Sequence, residues 1–222
     1  MSRWEPGAEQ RLQQAAMTLF LERGYDNVTV AEIAGQAGLT RRTFFNHFAD
    51  KREIFFSGAA AFRAGVVEHL NGAGSELSPM NAAVAALTGA GRKIGDYREY
   101  APAVRALIAT SPELQERALI KMDLIATVIA DGLRYRGVPA RAANFAARTA
   151  VTAFETAWTD WIDNPNTEFS TLMQQAMSDL RTVVCDSEPE PSCRPGINEH
   201  STARQSRIRP GRARLEQTGQ DP

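Results

Sequence analysis

Residues 38–51, GLTRRTFFNHFADK, set two arginines, a histidine and a lysine among three phenylalanines. A short helix accommodates that mixture only if rings and cations occupy different arcs. Phe44 and Phe48 stand one turn apart and share an inward arc, while Arg41, Arg42, Phe45, Asn46 and His47 spread over the remainder. Thr40 is suited to cap this helix, with Leu39 before it placed to staple onto Phe44. The preceding stretch, DNVTVAEIAGQAG (26–38), carries the same punctuation. Thr29 caps, Glu32 reaches back to the Thr29 amide, Val28 staples onto Ile33, and Gly38 ends the helix.

Two short helices joined by a tight glycine-containing turn, the second rich in outward cations, form the helix-turn-helix arrangement that lays its second helix in the DNA major groove. An arginine near the start of such a helix forks onto guanine, and an asparagine pairs with adenine. Hydroxyls at helix starts suit phosphate oxygens. The expected DNA-facing set is therefore Thr29, Thr40, Arg41, Arg42, Thr43, Phe45, Asn46, His47 and Lys51, with Lys51 as a point charge for the backbone. The charge distribution agrees. The whole chain has a net charge of −1, so a polyanion has to be met by a local patch. Within residues 39–52 four bases (Arg41, Arg42, Lys51 and Arg52) meet one acid, Asp50.

The rest of the 222 residues, 43% of them apolar, reads as further helices with no alternating strand pattern, so the fold class is all-α. The first helix runs from about Gly7 to Arg23, its stripe formed by Leu12, Ala15, Ala16, Leu19, Phe20 and Arg23, and Gly24 stops it. Asp50 and Glu53 repeat the capping box at the start of a fourth helix that extends through Phe62, Val66 and Leu70. Helices over about 80–95, 97–109, 112–135 and 139–163 follow, and a last one ends near Val184. From Asp186 the composition turns to Pro, Gly, Ser and Arg, which buries too little to offset ordering entropy. The expected organisation is a helix-turn-helix domain over 1–58, a larger helical domain for effector binding and dimerisation over 59–185, and a disordered tail over 186–222. Arginines 204, 207, 209, 212 and 214 of that tail would add nonspecific phosphate affinity.

Several function classes are disfavoured. No apolar run approaches membrane-spanning length, and the start of the chain lacks the pattern of an export signal, so a cytoplasmic protein without a membrane partner is expected. Cys185 and Cys193 have no metal-site spacing and read as reduced thiols. Histidines occur only at 47, 69 and 200, there is no phosphate-cradling glycine loop, and no nucleophile–base pair is suggested. Neither an enzyme nor a cofactor is expected.

The stretch from Leu12 to about Ser57 strongly resembles the amino-terminal domain of the tetracycline-repressor family. The matching blocks are AMTLFLERGY ending at Tyr25, TVAEIAGQAG at 29–38, TFFNHF at 43–48 and KREI at 51–54. The resemblance implies a homodimeric, ligand-responsive transcriptional regulator bound to double-stranded DNA at an inverted-repeat operator. One departure stands out: Phe45 replaces a tyrosine common in the family, so it is expected to make apolar contact in place of a phosphate hydrogen bond. The family's dimer bundle would draw here on Val151, Ala157, Trp161, Ile162, Leu172, Met173, Ala176, Met177 and Leu180, whose alternative is each subunit's own core. Its effector site would draw on Phe62, Val66, Leu107, Met122, Ile125, Phe154 and Trp158, each of which also reads as an ordinary core residue, with His69, Tyr97 and Tyr100 as polar candidates whose alternative is a surface or capping role. A small hydrophobic effector is implied, fatty acyl compounds included. The expected role is a repressor released by that effector; the alternatives are a constitutive dimeric DNA-binding protein and an activator.

Overall fold

The structure is a computed structural model that describes residues 7–92, 100–164 and 166–184. Nine α-helices and no strand occur among them: α1 (Ala8–Arg23), α2 (Val30–Gln36), α3 (Arg41–His47), α4 (Ala59–Asn71), α5 (Pro79–Gly91), α6 (Ala101–Thr110), α7 (Pro112–Tyr135), α8 (Ala140–Asp163) and α9 (Phe169–Val184). A 3₁₀ segment, Lys51–Phe56, lies between α3 and α4. The expected tail over 186–222 falls outside the described residues, as do Tyr97 and both cysteines.

The apolar residues gather in two buried clusters. The first joins Leu12, Ala16 and Phe20 of α1 to Ile33 of α2 and Phe44 of α3, all essentially without solvent contact. Leu107 of α6 and Leu114 of α7 complete it, so the amino-terminal helices are seated on side chains that come much later in the chain. Burying each such large side chain contributes about 1.5–3 kcal/mol, which is why a three-helix unit this small recruits them. The second cluster is built from α4, α5, α7, α8 and α9, around Val66, Leu70, Leu87, Ile129, Leu133 and Met173.

Local chemistry sets the helix ends. The Thr29 hydroxyl accepts from the Glu32 amide at 3.3 Å while the Glu32 carboxylate accepts from the Thr29 amide at 2.8 Å, the reciprocal box its sequence predicts. Thr40 accepts from the Thr43 amide at 3.1 Å. Between the two helices Gly38 adopts φ +66°, a backbone form that an L side chain resists, and the Arg11 guanidinium bonds the Ala37 carbonyl beside it. These contacts fix the turn that aims α3.

Three sequence expectations are corrected. Arg23 points outward to Glu32 instead of joining the buried stripe of α1. The expected fourth helix is split at Ser57 and Gly58 into the 3₁₀ segment and α4. Asp50 does accept the Arg52 and Glu53 amides, at 2.8 and 3.2 Å. Glu53, however, does not return to the Asp50 amide, because α7 offers it two cations. Helix α5 is described through Gly91, and the end expected near residue 95 lies outside the described residues. At its other end α4 is held by Arg136, whose guanidinium bonds the Ala73 and Gly74 carbonyls at 2.7 and 2.6 Å.

Candidate nucleic-acid interface

Helix α3 stands on Phe44 and Phe48, which are 0% and 3% exposed. Their rings lie 5.4 Å apart, and Phe45 packs edge-on against Phe44 at 5.3 Å with half its surface in solvent. The anchoring is apolar and one-sided, so the rest of the helix is turned outward: Arg41, Arg42, Asn46 and His47 are all exposed, and Thr43 is half-buried. Thr40 and Thr43 share a hydroxyl contact of 2.9 Å at the start of the helix.

The cations around α3 divide sharply by what they touch. Arg11 is bound to the Ala37 carbonyl, Arg23 to Glu32, and Arg52 to Asp50. Hydrogen bonds from the Arg52 guanidinium hold the Asp50 carboxyl below its usual value, against the opposing effect of burial. Lys51, expected to offer its charge to phosphate, turns inward. Its ammonium donates to the Tyr25 and Val28 carbonyls at 2.8 and 2.9 Å and lies 3.9 Å from the centre of the Tyr25 ring. Burial accordingly lowers its pKa. Arg41 and Arg42 alone among the described cations of this region have no oxygen partner in the protein.

Thr29 is likewise committed. Both its amide and its hydroxyl donate to the same Glu32 oxygen at 2.8 Å. The backbone and hydroxyl bonds from Thr29 are the main reason the Glu32 carboxyl sits below its ordinary pKa, with Arg23 adding to them. The carboxylate therefore stays ionised beside the start of α2, where a phosphate would meet like charge.

Of the seven residues expected around an effector, six fall in the same core cluster. Phe62, Val66, Met122, Ile125, Phe154 and Trp158 belong to the second cluster, whereas Leu107 packs in the first, with α1 to α3. The aromatic rings follow one another: Phe62 tilted against Phe154 at 5.1 Å, Phe154 stacked beside Trp158 at 6.4 Å, and Trp158 stacked on Trp161 at 5.0 Å. Of the residues expected at a dimer interface, Val151, Ala157, Trp161, Ile162, Met173, Ala176 and Met177 are buried within the single chain. Leu172 and Leu180 pack on that core's edge. The reason is that α8 and α9 lie against each other and against α5, which consumes their broadest apolar stripes. What remains outward is a groove between α8 and α9 lined by Arg141, Phe145, Thr152, Asp179, Leu180 and Val183. Phe145 is 73% exposed and Val183 83% exposed on its rim.

A further set of polar contacts joins residues far apart in the sequence. Arg117 and Lys121 of α7 bind Glu53, and the Tyr25 hydroxyl donates to Glu113 at 3.3 Å. The signal was present as an acid and two bases on one stripe of a long helix, but such stripes usually face solvent. No helix among the described residues is long and apolar enough to cross a membrane, and none of them form a metal-binding cluster.

Comparison with known proteins bears on the same segment. Residues 12–57 match the family model for bacterial regulatory proteins of the tetR family. The HTH-type transcriptional regulator TcmR of Streptomyces glaucescens is 42% identical over 57 residues, which is 22% of this chain and 25% of that protein. The HTH-type transcriptional repressor BepR of Brucella suis is 51% identical over 43 residues, 19% of this chain and 21% of that protein. The matched stretch thus spans about a quarter of the length of these curated relatives. The whole fold is similar to that of Thermus thermophilus FadR, a transcriptional repressor solved with lauroyl-CoA, at TM-score 0.50 and 21% identity, covering 85% of this chain and 100% of the other.

Proposed function

We propose that this chain, a tetR family regulator by its amino-terminal domain, binds an operator as a dimer and releases it when a small hydrophobic molecule enters the larger domain. One observation carries the DNA-binding part: α3 is anchored by buried rings while its two arginines, alone among the region's described cations, are left unpaired at the surface. An arginine held without a carboxylate loses no internal ion pair when it meets a base edge or phosphate. Arg41 and Arg42 are the base-reading candidates, with Asn46 and His47 beside them and Phe45 offering apolar contact to a thymine methyl. Thr40 and Thr43 supply hydroxyls to the flanking phosphate. Lys51 and Thr29 shape the surface from behind, by fixing the loop before α2 and the start of α2.

The groove between α8 and α9 is the face for a second copy. It sets basic Arg141 and acidic Asp179 on one surface, so a two-fold pairing brings opposite charges together around the exposed Phe145. For the effector, the packed rings of Phe62 on α4 and Phe154 and Trp158 on α8 are the apolar candidates, and Met122 contributes an adaptable side chain. The lauroyl-CoA in the Thermus FadR structure sets the ligand class to test first. Repression follows if the operator overlaps a promoter, in line with the repressors among its relatives.

The test is fluorescence anisotropy of a bound duplex titrated with lauroyl-CoA. Release of the duplex, with a raised melting temperature for the liganded protein, is the expected result. A tight complex indifferent to acyl-CoA and other apolar ligands would leave a constitutive DNA-binding dimer.

A further inference from the structure

We propose that Glu53 is a positioning residue for DNA recognition: clamped by Arg117 and Lys121, it sets the angle of the helix-turn-helix on α7 and so the half-site spacing a dimer accepts. The proposal rests on the dimeric DNA-binding reading above.

The geometry gives Glu53 a choice that it does not exercise. Its sequence position, three after Asp50, suits the return bond of a capping box, yet its carboxylate crosses to another helix instead. One oxygen receives Nε of Arg117 at 2.6 Å and also its terminal nitrogen, and the other receives Lys121 at 2.9 Å. All three groups are largely shielded from water, Glu53 at 18% exposure, Lys121 at 17% and Arg117 at 30%. A carboxylate gripped at both oxygens from one helix is directional, whereas apolar contact allows sliding.

Helix α7 is suited to transmit that direction. Glu113, Arg117 and Lys121 recur on one stripe; Glu113 meets Tyr25 in the turn after α1, and the other two meet Glu53 in the segment after α3. Leu114, on the same turns, is fully buried in the first cluster, while Ile125, Ile129 and Leu133 farther along are buried in the second. A helix of this length spans roughly 36 Å as one rigid body, so a small tilt at its start moves α3 appreciably. The covalent path from α3 to α4 instead passes through the break at Ser57 and Gly58. Orientation is therefore carried by the clamp more than by the chain.

The experiment measures affinity for a bound operator, for the same half-sites moved apart by one base pair, and for a single half-site at low salt. It compares the wild type with Glu53→Gln, with the double variant Arg117→Gln and Lys121→Gln, and with full charge inversion (Glu53→Lys, Arg117→Glu, Lys121→Glu). The expectation is that Glu53→Gln and the double variant keep half-site affinity but lose about fivefold or more of the preference for native spacing, and that inversion restores it. Unchanged spacing preference in the first two variants, or a loss that inversion does not recover, overturns the proposal. If the wild type itself shows no half-site binding, the DNA-binding reading falls first, and separately.

Discussion

Replacing Lys51 by methionine keeps the apolar stem and removes only the ammonium, which isolates what that charge does. In the structure it donates to the Tyr25 and Val28 carbonyls at 2.8 and 2.9 Å and sits over the Tyr25 ring at 3.9 Å. Charge-assisted hydrogen bonds are worth about 1.5–3 kcal/mol each and an exposed cation–π contact about 0.5–1 kcal/mol. Lys51 is half-buried, so water replaces part of what is lost, and the net destabilisation should be roughly 2–3 kcal/mol. With a urea slope near 2 kcal/mol per molar, the unfolding midpoint followed by circular dichroism falls by about 1 M. Among molecules still folded, the salt dependence of DNA binding stays as in the wild type. A phosphate-binding lysine behaves oppositely: the midpoint is unchanged and the slope of log affinity against log salt drops by about 0.9. That pair of results would refute the inward role derived for Lys51.

Other outcomes follow from the same contacts. Arg41→Ala should weaken operator binding by about 1–3 kcal/mol and relax base preference at one position of each half-site, read by competition with single-base variants. Phe44→Ala removes a fully buried ring beneath α3 and should cost about 3–5 kcal/mol in urea unfolding, with DNA binding lost alongside. Phe145→Asp, on the rim of the α8–α9 groove, should shift sedimentation toward the monomer without lowering the melting temperature of the subunit. For Glu53, burial pushes the carboxyl up, but hydrogen bonds from Lys121 and Arg117 and their charges outweigh it and hold the pKa below the ordinary glutamate value. A depressed folded-state pKa contributes stability that is fully present above the unfolded value and lost as pH falls through the folded one. Glu53→Gln should therefore flatten the acid limb of the stability profile and leave its neutral slope alone.

What the sequence made legible was whatever rests on neighbours along the chain. The Thr29 and Thr40 caps, the left-handed Gly38 and the inward pair Phe44 and Phe48 are all local, and the structure places each as its spacing predicts. The destination of a long polar side chain is not local. Lys51 and Glu53 sit where a phosphate contact and a capping box are natural readings, yet Tyr25 lies 26 residues before the first, and Arg117 lies 64 residues after the second. The stripes of α8 and α9 show a related limit. Apolar periodicity reveals that Ala157, Trp161 and Met173 are covered, but not whether by their own subunit, and here α5 and the facing helix do the covering. Phe145 belongs to no apolar stripe, because it interrupts an otherwise polar side of α8. Leu107 and Phe62 were equally plausible beside an effector, and only the fold assigns them to different clusters.

The outward face of α3, with Arg41 and Arg42 unpaired, is the surface proposed to read duplex DNA. The most direct measurement is selection of duplexes from a random pool by the wild-type chain, in parallel with the Arg41→Ala, Arg42→Ala double variant. Wild type should enrich an inverted repeat whose half-sites lie about one helical turn apart or a multiple of it, and the double variant should enrich none. Enrichment of the same motif by both proteins, or of no motif by the wild type, would contradict the account.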